Sequence, residues 1–191
     1  MKTAVVLLAL FLAAGAVVGT ARAHITPPVV LMSDRDALAS VLSGSRRLFV
    51  REVRLSAAER ATIRQKSGWN PDEDFYRFYL GRDTDTRLVA AASFLSEFTI
   101  HGPVRVAVAI GPDRAVRGVR IVEVTEETYV WVKPLIDRDF GREFVGHPAS
   151  HEVKSPAASD PMSQFYAQVI ATLVRRAAVL LDVAAVGASG G

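Results

Sequence analysis

Gly102-Pro103-Val104-Arg105-Val106-Ala107-Val108-Ala109-Ile110, then Gly111-Pro112-Asp113-Arg114, then Val116-Arg117-Gly118-Val119-Arg120-Ile121-Val122-Glu123-Val124, is the stretch whose reading decides the fold. Val104, Val106, Val108 and Ile110 alternate with Arg105, Ala107 and Ala109, the period of two that sends successive side chains to opposite faces of a sheet. Gly111-Pro112-Asp113-Arg114 interrupts two apolar runs with turn chemistry, so the pair is a hairpin with one face expected in a core.

Working outward, 88–94 is an apolar run suited to a buried strand, although its alanines leave a helix open. Residues 75–80 gather Phe75, Tyr76, Phe78 and Tyr79 around Arg77, and 48–55 is rich in β-formers; both read as strands. Ser56-Ala57-Ala58-Glu59 has the Ser-x-x-Glu form that opens a helix, here through Ile63 to about Lys66 before Gly68. Ser33, with Asp34 and Asp36 behind it, starts a short helix ending at Gly44. Beyond the hairpin the chain changes direction at 126–129, and 131–140 reads as a short helix interrupted by Pro134. Asp160 can cap a last helix whose apolar positions are Phe165, Val169, Leu173, Ala177 and Leu180. The fold class is therefore α+β: a small antiparallel sheet centred on the Val-rich hairpin, flanked by short helices and closed by a C-terminal helix. The domain is expected over 33–182, after an extended leader at 24–32 and before a disordered tail at 183–191.

The chain begins with a basic residue at Lys2, an apolar run at 4–18 and the small-residue site Ala21-Arg22-Ala23, the three parts of a secretory signal in order. Residues 1–23 are expected to be a signal peptide that delivers the domain to the periplasm or another extracytoplasmic space. The apolar run is shorter than the ~20 residues that span a bilayer; left uncleaved, it would anchor the domain on that same side. No cysteine is present in the 191 residues, which excludes disulfides, cysteine-held iron–sulfur clusters and haem attached through Cys-x-x-Cys-His. A formal charge of +3 with arginines scattered along the chain gives no face for several phosphates, so nucleic acid is set aside.

The hairpin, its turn and the Glu127-Thr128 pair that follows resemble the FMN-binding domain family, over about 82–181 and more loosely from Ser33. That family includes exported flavin subunits of ion-pumping quinone or ferredoxin reductases and the periplasmic domain of a nitrous-oxide-reductase regulator. The resemblance implies FMN held as a redox carrier beside a membrane-bound redox protein or complex. In many members the flavin phosphate is esterified to the Thr of a Ser-Gly-Ala-Thr motif. At the matching place this chain reads Ser155-Pro156-Ala157-Ala158-Ser159, and Ala158 has no oxygen to esterify, so covalent flavin at that position is chemically impossible. Two outcomes stay open. In one, FMN binds non-covalently, with Tyr129 and Trp131 stacking on the ring, Lys154 and backbone N–H groups near Asp160 meeting the phosphate, and Glu127, Thr128, Ser155 and Ser159 completing the site. In the other, the domain is a flavin-free accessory or scaffold subunit that binds a protein partner. A small-ligand sensor is a weaker third.

His147 and His151, with Glu152 adjacent, have a metal-ligand spacing, but Pro148 argues against the helix that would bring the rings together. His101 reads as a turn residue. Asp72-Glu73-Asp74 reads as a solvated face, and Glu127 as the more interesting carboxylate. Hydrolase, zincin and dinucleotide motifs are absent.

Overall fold

A computed structural model describes residues 26–151 and 160–187. Six antiparallel strands, β1 (Pro28–Val30), β2 (Arg47–Val53), β3 (Tyr76–Arg82), β4 (Leu88–Thr99), β5 (Gly102–Ile110) and β6 (Val116–Thr125), form one sheet in the order β1-β6-β5-β4-β3-β2. From β2 to β6 this is a meander; β1, drawn from the segment read as an extended leader, returns to pair with β6 through Pro28↔Thr125, Val29↔Val124 and Val30↔Glu123. The chain is α+β, and its described residues include four α-helices: α1 (Asp34–Val41), α2 (Ala57–Ser67), α3 (Glu126–Asp137) and α4 (Pro161–Leu181). None of the described helices is long and apolar enough to cross a membrane.

The hairpin is where the alternation puts it, and Val104, Val106, Val108 and Ile110 join the core formed with α4. The other face is covered too. Ala107 and Ala109 are fully buried, because α1 lies across β5 and β6 with Leu38, Val41 and Leu42 against Ala109. Small residues permit that approach: a Cβ on Gly118 would come within 3.1 Å of the Val41 Cα. The alanines, read as the outer half of a half-buried strand, are the contact surface of a second layer.

The helix starts explain where boundaries were legible. Ser56 and Glu59 make the expected capping box, and Gly68 closes α2 at φ 71°. α3 starts at Glu126, five residues before the expected 131, because Thr125 caps it and Thr128 replies with a hydroxyl rather than the usual Glu or Gln. Pro134 sits inside α3 without ending it. The carbonyl it leaves without a donor is that of Val130, an exposed residue, so water can satisfy it. On α4 the expected stripe holds at Leu173, Ala177 and Leu180, which are buried, and at Val169, which packs on the core, but it is wider than expected, with Tyr166, Ala167, Ile170 and Val174 also buried, and its first member, Phe165, is 45% exposed. The helix continues as a π-helical turn over Asp182–Val186 with Ala184 and Ala185 buried, so the chain from 183 to 186 is packed where a disordered tail was expected. β4 resolves the strand-or-helix ambiguity as a strand and runs five residues beyond the expected 94, to Thr99, because its second half pairs with β5.

α1 is fixed to the sheet by Arg105, whose guanidinium donates to both carboxylate oxygens of Asp34 at 2.6 and 2.9 Å and lies over the Phe94 ring, 4.4 Å from its centroid. The hydrogen bonds and charge of Arg105 hold the Asp34 carboxyl below its ordinary 3.8. A carboxyl depressed in the folded state contributes stability above the unfolded value and loses it as pH falls through the folded one. Chemical-denaturation midpoints of wild type and Asp34→Asn should therefore differ at neutral pH, with wild type the more stable, and converge as pH drops below about 3.8. A constant gap would show that the pair is electrostatically idle.

Candidate functional site

At the turn from β4 into β5 the backbone is held tightly enough to aim a side chain. Gly102 stands at φ 101°, where a Cβ would fall 2.4 Å from the Thr125 Cγ2, so both dihedral and space require glycine. Thr99 Oγ1 donates to the Gly102 carbonyl at 2.8 Å and accepts from the His101 N–H at 3.2 Å, while Thr125 Oγ1 donates to the His101 carbonyl at 2.7 Å. The His101 ring then meets α3: its Nδ1 is 2.7 Å from Glu127 Oε1. An ionised carboxylate only accepts, so Nδ1 carries the proton, which fixes the tautomer of the ring.

Trp131 lies one helical turn beyond Glu127, with its ring centroid 5.1 Å from that of His101. Its ring stacks parallel on Tyr166 of α4, at 5.8 Å and 8°. Tyr166 is fully buried, and its hydroxyl is 3.2 Å from Thr99 Oγ1, which closes the circuit. Burial pushes the Tyr166 phenol up from its usual value, with the Thr99 hydrogen bond opposing. Chemically the cluster is a proton-holding imidazole with a fixed tautomer, backed by a rigid aromatic pair.

Of the residues picked out from the sequence, Glu127 and Trp131 belong to this cluster. Thr128 does not: it is fully buried, and its hydroxyl is engaged by the Thr125 cap. Tyr129 is half-buried and packs against the main core. Lys154, Ser155 and Ser159 lie outside the described residues. His101, read only as a turn residue, is also the partner of Glu127, and Tyr166 was missed because the stripe of α4 was started at its exposed neighbour Phe165. His147 and His151 stack at 4.3 Å outside any helix, and among the described residues no group of three metal-ligating side chains forms.

The resemblance implies FMN, and the described residues do not fit it. The ring slot expected at Trp131 is filled by Tyr166 and His101. At the expected phosphate end only the start of α4 lies within the described residues. Pro161 opens α4 without an N–H, and the Asp160 carboxylate already accepts from the Ser163 N–H at 2.7 Å. Those hydrogen bonds hold Asp160 below its ordinary value, so the start of α4 is already capped by a negative charge.

No family model and no curated protein matches this chain.

A second feature had no signature in the sequence. β3 and β4 are paired only from Tyr79↔Ala92 to Arg82↔Leu88. Past that point β3 is bonded to β2 and β4 to β5, and a cleft of about 660 Å³ opens between them, walled by Trp69, Phe75, Tyr76, Phe94 and Phe98. The cleft runs toward the β4–β5 turn, where Phe98 is 80% and Ile100 92% exposed.

Proposed function

We propose that this chain is an exported, FMN-binding-like accessory domain of an extracytoplasmic redox system, one that keeps the scaffold and binds a protein partner without carrying flavin. The observation that carries the reading is the free half of β4, which runs beside an aromatic cleft into exposed Phe98 and Ile100. Large apolar side chains left in water at a strand end are a docking surface more often than a packing accident. The loss of the flavin is supported from two sides: Ala158 stands at the attachment position, and Tyr166 and His101 fill the space beside Trp131. The extracytoplasmic setting rests on the order of Lys2, the apolar run at 4–18 and Ala21-Arg22-Ala23. The partner this reading implies is a membrane-bound redox protein or complex.

The test is an absorbance spectrum of the protein recovered from the periplasm of a flavin-competent host, before and after acid precipitation, followed by titration with FMN. The expected protein is colourless and leaves the fluorescence of added FMN unchanged. Flavin that leaves with the acid supernatant would instead make the domain a non-covalent electron carrier. Flavin that stays with the pellet would place a covalent attachment at some hydroxyl other than position 158.

A further inference from the structure

We infer that the cleft between β3 and β4 receives an extended segment of the partner protein, which adds as a strand to the free edge of β4 and presents a basic residue to Asp72 and Glu73; this rests on the partner-binding reading above.

Among the described residues, β4 is hydrogen-bonded from 93 to 99 on one side only, by β5, through Ser93↔Val108 to Thr99↔Gly102. Across the cleft, Tyr76, Arg77 and Phe78 of β3 pair with Val53, Glu52 and Arg51 of β2 and, among the described residues, with no strand on the β4 side. Alternate residues of β4 therefore direct backbone N–H and C=O groups into open space. An unpaired edge of this kind is a template for another chain, and proteins that avoid pairing guard it with lysine, proline or a bulge. The sequence from 93 to 99, Ser-Phe-Leu-Ser-Glu-Phe-Thr, has no lysine or proline. Its one charge, Glu97, is tied to Arg176 of α4. At the rung where the ladder parts, the Ser93 hydroxyl is 2% exposed and has no hydrogen-bond partner among the described residues.

The side chains say what kind of segment fits. Phe94 and Phe98 project to the α1 side of β4 and Leu95 to the α4 side, so an added strand with apolar alternate positions finds a surface on each face. The opposite wall is held in place by Arg60, which donates to the backbone carbonyls of Pro71 and Glu73, and by the edge-to-face packing of Trp69 on Tyr76 at 6.0 Å. Charge decides against an anionic small molecule. Each arginine lining the cleft already has a carboxylate: Arg105 has Asp34, Arg77 has Glu52 and Arg176 has Glu97. Asp72 and Glu73, at the end where β3 begins, line the same cleft and are in no ion pair among the described residues. An extended body uncharged except for a lysine or arginine toward that end meets every one of these conditions.

The experiment is selection of displayed random peptides of about seven residues, the reach of the free edge at ~3.3 Å per residue, on the purified protein. Enriched peptides should alternate apolar and polar residues and carry Lys or Arg near one end, and that charge preference should disappear on Asp72→Asn/Glu73→Gln. Once synthesised, they should change the tryptophan fluorescence saturably, and the change should vanish in Trp69→Phe. Methylating the backbone nitrogens of one alternate set should weaken binding by more than about tenfold, since two or three main-chain hydrogen bonds are lost with every side chain kept. No enrichment, or peptides that bind equally well with either alternate set methylated, would overturn the strand. If a partner nevertheless co-purifies equally with wild type and with the cleft-blocking Phe94→Lys, the accessory reading stands and only the strand falls. Uptake of FMN in the titration above would remove the accessory reading and leave the peptide result to be judged alone.

Discussion

Val106→Asp should abolish cooperative folding, whereas Phe98→Asp, on the neighbouring strand of the same sheet, should unfold at nearly the wild-type midpoint. Val106 is fully buried, with Leu95 of β4 and Ile121 of β6 as its rung partners and the α4 core over it. A carboxylate there has neither water nor a cation, and its desolvation, several kcal/mol even after relaxation, is comparable with the ~5–15 kcal/mol that holds a domain of this size together. Phe98 is 80% exposed, and substitutions at such positions cost within about 0.5 kcal/mol. Urea unfolding followed by circular dichroism separates the two. A soluble, sharply unfolding Val106→Asp protein would remove the hairpin from the core.

The second large effect is at the far end of α4. Asp182, in the π-helical turn, is almost completely buried, and Lys66 at the end of α2 reaches it at 2.8 Å. Arg114, from the β5–β6 turn, stands 3.4 Å from the other oxygen without making a hydrogen bond to it. Lys66→Met should cost about 2 kcal/mol, less than the 3–5 kcal/mol of a wholly buried pair, because Lys66 is partly in water and Arg114 still offsets some of the charge. Adding Asp182→Asn should recover most of that loss, since no buried charge is then left alone. If the double variant is as unstable as the single one, packing by the lysine stem rather than charge carries the contact. The same corner is closed by Arg51 donating to the Ala184 carbonyl and Arg175 to the Lys66 carbonyl, which is why the chain is packed to 186.

What could be read from the sequence followed from how locally each feature is encoded. The Val104–Val124 hairpin and the Ser56 cap depend on residues a few positions apart, and they fell where the pattern put them. Thr125 caps α3 by the same geometry, yet a hydroxyl at the third position gives no sign that can be told from any other threonine. β1 is three residues that begin with Pro28 and follow Pro27, and nothing in Pro27-Pro28-Val29-Val30 says that it will find β6. Within the cluster, Glu127 and Trp131 drew attention through the resemblance, while His101 and Tyr166 join only because a tight turn and the face of a distant helix converge. The cleft is the extreme case. It exists because two strands stop pairing, and a ladder that ends leaves no mark on either strand's composition.

The meander also has a kinetic side. From β2 to β6 every rung joins strands that are neighbours in sequence, and apart from the α2-containing connection between β2 and β3 the loops are short and their closure cheap in entropy. The β1–β6 rungs are the one exception in the sheet, joining the start of the described chain to residues 123–125. Five strands can therefore assemble while the N-terminal part of the chain is still engaged elsewhere, and the three rungs of β1 close last. Unfolding should begin at the same place, with the amides of β1 exchanging hydrogen before those of β5 lose any protection.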